Sequence, residues 1–93
     1  MNKLNWEDEG HQIVLRDGRR ILARARNMHE LGWYVYLPCI DQQFYSVEAN
    51  TIEEAEWQVT LLLYDLCNKK ANYYHTIRDN LPSIHELAKN AGI

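Results

Sequence analysis

The sequence predicts an α+β domain in which three or four antiparallel strands pack one face against a long helix, with one or two helices after it. Three observations support this fold class. Asp17-Gly18 separates two apolar runs, a typical hairpin signal. Aromatic and apolar residues alternate from Gly32 to Leu37, as in a half-buried strand. A capping box at Thr51 then opens a helical pattern. The 93 residues form a single domain, 1–93.

The strands follow in order after a polar lead-in, residues 1–10, whose one aromatic residue is Trp6. Residues 11–26 form the hairpin, with Asp17-Gly18 as a type I′ turn, so that Val14 pairs with Ile21 and Ile13 with Leu22. The third strand covers 33–37 and ends at a proline, and residues 44–47 make a short fourth strand.

The long helix covers 51–70. Thr51 and Glu54 cap its first turn, acidic residues crowd its start, and Lys69 and Lys70 lie at its end, as the helix dipole favours. One apolar stripe faces the sheet: Ile52, Ala55, Val59, Leu62, Leu63 and Leu66. We expect residues 71–80 to remain helical up to Leu81-Pro82, and Ser83 with Glu86 to cap a last helix that stops near Gly92.

A second apolar stripe, Trp57, Leu61 and Tyr64, lies on another side of the long helix. The chain's own C-terminal segment is the preferred cover, because monomers seldom expose contiguous apolar patches. That segment holds Tyr73, Tyr74, Ile77, Leu81, Ile84 and Leu87. The alternative is cover by a partner or by a second copy of the chain, and a second copy would make the chain a structural homodimer without a ligand.

Composition narrows the class of protein. The hydrophobic fraction of 46% and charged fraction of 25% are those of a globular domain, and the net charge of −3 disfavours general attraction to nucleic acid. The start of the chain does not have the pattern of a signal peptide, and no apolar run approaches the ~18 residues of a membrane span. Cys39 and Cys67 lack metal or disulfide spacing. We therefore expect a cytosolic protein with reduced cysteines, no membrane contact and no cofactor.

Positive charge concentrates in the hairpin, which carries five of the ten Lys and Arg residues: Arg16, Arg19, Arg20, Arg24 and Arg26. Arg20, Arg24 and Arg26 are even numbers of residues apart on one strand, so we expect their side chains to point to one face of the sheet. If the core face holds Val14, Ile21, Ala23 and Ala25, these arginines lie on the open face of the sheet, where Tyr34 and Tyr36 also point.

Such a face suits three uses. It can be solvated, it can bind an acidic protein partner, or it can hold single-stranded nucleic acid by phosphate contacts and stacking. The negative total charge favours the first two over nucleic acid.

Catalysis is not predicted. Three of the four histidines have a single acidic residue nearby in the sequence, in the pairs His75 and Asp79, His85 and Glu86, and His29 and Glu30, without a third group at a recognisable spacing. We therefore predict neither a catalytic nor a metal site.

Residues 32–66 resemble the N-terminal domain of HicB-type antitoxins. The similarity rests on the run from Gly32 through Trp33-Tyr34-Val35-Tyr36-Leu37 to Pro38, then Ile40, Asp41 and Phe44, and the helix start Thr51-Ile52-Glu53-Glu54-Ala55. The resemblance implies a partial RNase H-like fold without its catalytic carboxylates. It also implies a protein that neutralises a small toxin RNase by binding it.

The function we predict is that of a small, non-enzymatic cytosolic binding protein of bacterial or phage type. It would block a partner protein, in the manner of an antitoxin or an inhibitor of a nuclease or defence protein. The predicted contact residues are Arg20, Arg24, Arg26, Tyr34 and Tyr36.

Overall fold

The computed structural model describes residues 2–70 and 72–93, without the side chains of Asn72 and Tyr73. Five antiparallel strands form one sheet in the order of the chain. They are β1 (Trp6–Asp8), β2 (Gln12–Asp17), β3 (Arg20–Asn27), β4 (Trp33–Leu37) and β5 (Asp41–Val47). Three helices follow: α1 (Ile52–Lys69), α2 (Asn72–Asp79) and α3 (Ile84–Asn90). The α+β class is confirmed, with one strand more than the sequence predicts.

The extra strand is β1, which lies in the predicted lead-in and pairs with β2. Trp6 anchors it: the indole Nε1–H donates to Oγ1 of Thr60 on α1 over 2.8 Å. Thr60 is fully buried and its hydroxyl donates to the Glu56 carbonyl. The Leu4 N–H, just before β1, donates to the Asn80 carbonyl at the end of α2. Strand β1 and the residue before it therefore connect the sheet to α1 and to the end of α2.

The predicted hairpin exists, but its turn and register differ. Gly18 has φ +61° and Arg19 does not have a positive φ, which is the pattern of a type II′ turn centred on Gly18-Arg19. Asp17 consequently pairs with Arg20, and Val14 lies opposite Arg24. The predicted pairs, Val14 with Ile21 and Ile13 with Leu22, are wrong because the turn begins one residue later and a bulge follows it.

The bulge lies between the Leu15 and Arg16 pairs, where β3 has one extra residue, Leu22. Both Leu22 and Ala23 then face the core beside Leu15. The alternation of β3 side chains between the two faces of the sheet shifts by one residue at this point. Residues of β3 that are an even number of positions apart in the sequence therefore do not all point to the same face of the sheet.

The core lies between one face of the sheet and the helices. Its strand residues are Ile13, Leu15, Leu22, Ala23, Ala25, Trp33, Val35 and Leu37. The condition that the core face holds Val14 and Ile21 is not met, since both lie on the open face: Val14 pairs with Arg24, and Ile21 pairs with Arg16. Val14 is nevertheless fully buried, which indicates that the long side chains around it cover that part of the open face.

Helix α1 forms as predicted. The Thr51 hydroxyl accepts the Glu54 N–H at 3.1 Å, and Ala55, Val59 and Leu63 of the predicted stripe are buried. Ile52, Leu62 and Leu66 are half-buried against the core. The helix ends at Lys69, and the extended backbone of Lys70 (φ −104°, ψ 177°) separates it from α2.

The predicted helix over residues 71–80 is thus a separate element, α2, and Ala71 lies outside the described residues. The last helix also matches its prediction, since the Ser83 hydroxyl accepts the Glu86 N–H at 3.2 Å. No helix among residues 2–70 and 72–93 has the length and apolar character needed to cross a bilayer.

The second stripe of α1 is only partly covered. Helices α2 and α3 pack against α1, as expected. Trp57 and Leu61 are half-buried, but Tyr64 remains 43% exposed. The Tyr73 side chain, part of the predicted cover, lies outside the described residues.

Candidate interaction face

The open face of the sheet, on the side away from the helices, holds most of the predicted contact residues. Two rows cross it in register. One row joins Val14, Arg24 and Tyr36, and the next joins Gln12, Arg26, Tyr34 and Ser46. On β4 the alternation is as predicted: Trp33, Val35 and Leu37 are buried, and the two tyrosines between them are exposed. The structure thus brings four of the five predicted contact residues together.

Arg20 is the exception. Because the bulge at Leu22 shifts the alternation of β3, Arg20 does not point to the same face as Arg24. Arg20 pairs with Asp17 at the hairpin end, and its guanidinium lies 3.6 Å from the Asp17 carboxylate. The prediction that Arg20 shares a face with Arg24 and Arg26 is wrong for this reason. Sequence parity cannot reveal a bulge.

The arginines of the hairpin differ in their charge partners. Arg16 forms ion pairs with Glu7 and Glu9 on the β1 side of the sheet. The pKa of Glu9 is lowered, mainly by the hydrogen bond from Gln12 and further by the charges of Arg16 and Arg24. Arg24 and Arg26 form no salt bridge with any residue in the described part of the chain. The free positive charge of the face therefore belongs to these two residues.

Arg24 has a second unusual property. Its Nε–H is buried and has no hydrogen-bond acceptor among the described residues. A buried donor without an acceptor costs about 1–3 kcal/mol, more for a charged group.

Aromatic rings complete the face. Tyr36 stacks on Phe44 of β5, with ring centroids 5.5 Å apart and planes 22° from parallel. Phe44 is 72% exposed, an unusual fraction for so large an apolar side chain. The rings and the two arginines surround a shallow hollow of about 290 Å³, lined by Arg24, Arg26, Met28, Tyr34, Val35, Tyr36 and Phe44.

Phe44 and Met28 are residues of this face that the sequence-based prediction omitted. The signal for Phe44 was available, since it alternates with Tyr45 and Val47, which pack on the core. Met28 follows the end of β3, where no alternation exists to place it. Four of the seven large hydrophobic side chains exposed in the described part of the chain line this hollow: Met28, Tyr34, Tyr36 and Phe44.

Within the described residues, no three His, Cys, Asp or Glu side chains are placed to hold a metal ion. Asp79, predicted as a neighbour of His75, accepts instead from Arg78 Nε at 2.9 Å. Cys39 is half-buried and Cys67 is fully buried, where desolvation raises the pKa of its thiol.

Comparison with known protein families, curated proteins and solved structures gives no match to this chain. The resemblance to HicB-type antitoxins therefore stays a prediction based on residues 32–66. The geometry of the open face is the basis for assigning a function.

Proposed function

We propose that the chain is a protein-binding module that occupies and blocks a partner through the open face of its sheet, as an antitoxin or an inhibitor of a nuclease does. The contact residues are Arg24, Arg26, Tyr34, Tyr36 and Phe44. The observation that carries the proposal is the exposed Tyr36–Phe44 stack beside two arginines that lack ion-pair partners among the described residues.

Residue chemistry supports this use. Tyrosine and arginine are enriched at the energetic centres of protein interfaces, where they combine large contact area with directed hydrogen bonds. Arg24 and Arg26 both line the hollow, so an acidic group of the partner would meet two positive charges that no described residue pairs. The partner surface that fits is acidic with an apolar centre. Blocking needs only a sufficiently large buried interface, so no catalytic group is required.

Affinity capture from the native host tests the proposal. We expect the tagged wild-type chain to recover a distinct protein and Arg24→Glu to lose it, because the reversed charge repels an acidic partner. Arg19→Glu is the matched control, since Arg19 lies in the exposed hairpin turn away from the hollow. Recovery of the same protein by Arg24→Glu, or its loss with Arg19→Glu alone, would contradict the assignment.

The same stack favours a second candidate, single-stranded nucleic acid, since exposed rings beside arginines also stack bases and hold phosphates. A salt titration separates the two. Nucleic-acid affinity falls linearly in log–log form with salt concentration. If labelled DNA and RNA oligonucleotides do not bind at low salt, this candidate is eliminated.

A further inference from the structure

We propose that the outer edge of β5 pairs with the same edge of a second copy of this chain, joining two sheets into one antiparallel sheet. The two open faces then become continuous, and Phe44 of each copy lies beside the junction. This dimer is separate from self-association through the Trp57–Leu61–Tyr64 stripe on the opposite layer.

The direction of the backbone groups on β5 follows from one hydrogen bond. The Met28 N–H donates to the Gly32 carbonyl at 2.8 Å, which marks a hydrogen-bonded pair at the end of β3 and β4. Such pairs alternate in an antiparallel ladder, so Tyr34 and Tyr36 bond to β3, and Trp33 and Val35 direct their backbone groups toward β5.

The partners of those two residues on β5 are Val47 and Tyr45. They use the inner edge of the strand, so the N–H and C=O of Ser46, between them, point away from the sheet. Strand β5 is terminal in the sheet, and both Phe44 and Ser46 are exposed. The outer edge from Phe44 to Val47 is thus an open template for a further strand.

The chemistry of this edge fits a second copy. Residues 42–47 carry no charged side chain, no lysine and no proline, which are the residues that usually protect an edge. Asp41 and Glu48 flank this segment, but with a two-fold axis near Tyr45 they lie opposite Ala49 and Gln42 of the second copy, so no acidic residue directly faces another. The other edge differs: β1 has three residues, and two of them are Glu7 and Asp8, which would repel their counterparts.

Phe44 supplies the apolar contact. One face of its ring stacks on Tyr36, and 72% of the residue is still exposed. A two-fold axis near Tyr45 places both Phe44 rings on the same face of the joined sheet, close to one another. The two Tyr36–Phe44 stacks then form a single aromatic patch flanked by the arginines of both copies. Only a few residues pair at this edge, so the dimer should be weak.

Sedimentation of the full chain over a range of concentrations tests the dimer. We expect the wild-type mass to rise toward twice that of the chain and Ser46→Pro to weaken association at least ~10-fold, because proline removes the outward N–H. In the isolated chain that N–H faces solvent, so the fold should persist, as circular dichroism will show. Ser46→Ala keeps the N–H and should associate like wild type.

Ser46→Lys provides an independent disruption, since it places like charges at the junction without altering the backbone. If Ser46→Pro does not fold, weakened association of Ser46→Lys still supports the dimer. A wild-type chain that stays monomeric up to ~1 mM would overturn the proposal. So would unchanged association of a folded Ser46→Pro or of Ser46→Lys. Dissociation by Leu61→Asp with no effect of either Ser46 variant would assign the dimer to the α1 stripe instead.

Discussion

The backbone conformation of single residues determines several features of the fold, and Gly32 is the clearest example. It precedes β4 with φ +82° and ψ −156°, a region that only glycine adopts readily. A Cβ atom there would lie 2.9 Å from the Val47 carbonyl oxygen. The backbone of β4 therefore approaches β5 more closely than a side chain would permit.

Gly32→Ala should destabilise the chain by about 2–3 kcal/mol, which corresponds to a fall in melting temperature of roughly 10 °C or more. Gly10→Ala is the matched control, because Gly10 has φ +86° but open space around the added Cβ. Thermal unfolding monitored by circular dichroism measures both. An equal loss for the two variants would show that the contact with Val47 contributes nothing.

Glu56 gives a pH-dependent prediction at the same scale. Burial raises the pKa of its carboxyl group, and the negative charges of Glu53 and Asp8 raise it further. The folded state thus holds the proton more tightly than the unfolded state, so ionised Glu56 destabilises the fold above the raised pKa. As pH falls through that value, the penalty disappears.

Glu56→Gln should therefore raise the stability slightly at neutral pH, by at most about 0.5 kcal/mol because solvent screens a half-exposed group. The gain should vanish below pH ~4, where the wild-type carboxyl is protonated in both states. Denaturant unfolding at pH 7 and pH 3.5 measures this difference. Glu48→Gln, at an exposed position, is the control for the substitution of a carboxylate by an amide. A loss of stability at pH 7 in Glu56→Gln would contradict the account.

At the scale of elements, β1 is held to α1 by the hydrogen bond from the Trp6 indole to Thr60. Thr60→Val removes the acceptor of the Trp6 indole N–H and should cost about 1 kcal/mol, with faster amide exchange in β1 and β2 than elsewhere in the sheet. Thr60→Ser retains the hydroxyl and should keep the exchange protection of β1, while the loss of a buried methyl group lowers the stability of the whole fold by about 1 kcal/mol. Uniform loss of exchange protection over all five strands would show that β1 is not a separate unit.

The elements that could be predicted are those with local signals. Helix α1 has its cap, its charges and its apolar stripe within one segment, and it forms where predicted. Strand β1 has three residues and no alternation of its own, and it exists because β2 and Thr60 hold it. Its pairing depends on residues far away in the chain, which no local pattern reports.

The residues of the open face also divide into those that a local pattern predicts and those whose position depends on distant contacts. Tyr34, Tyr36, Arg24 and Arg26 lie together because regular alternation holds from Ala23 onward and along β4. Arg20 was misplaced because the bulge and the position of the turn result from packing Leu22 into the core. Alternation along β5 can place Phe44 on the open face, but its stack on Tyr36 of the neighbouring strand is a contact that no local pattern predicts.

At the scale of the whole molecule, charge is unevenly distributed. The chain has a net charge of −3, yet Arg24 and Arg26 lie together on the open face, whereas Glu7 and Glu9 lie beside Arg16 toward β1. Such a separation orients an approaching acidic partner toward the hollow and speeds association. Increasing salt should therefore reduce the association rate more than it changes the dissociation rate.

Cross-linking in the native host tests the central claim, that the open face binds another protein, most directly. A photoreactive phenylalanine analogue replaces Tyr36 in one variant and Tyr64, on the helical layer, in a second. We predict that the variant at position 36 forms an adduct with a protein other than this chain, and that Arg24→Glu in the same chain abolishes it. An adduct only with nucleic acid, or a protein adduct at position 64 and none at position 36, would contradict the account.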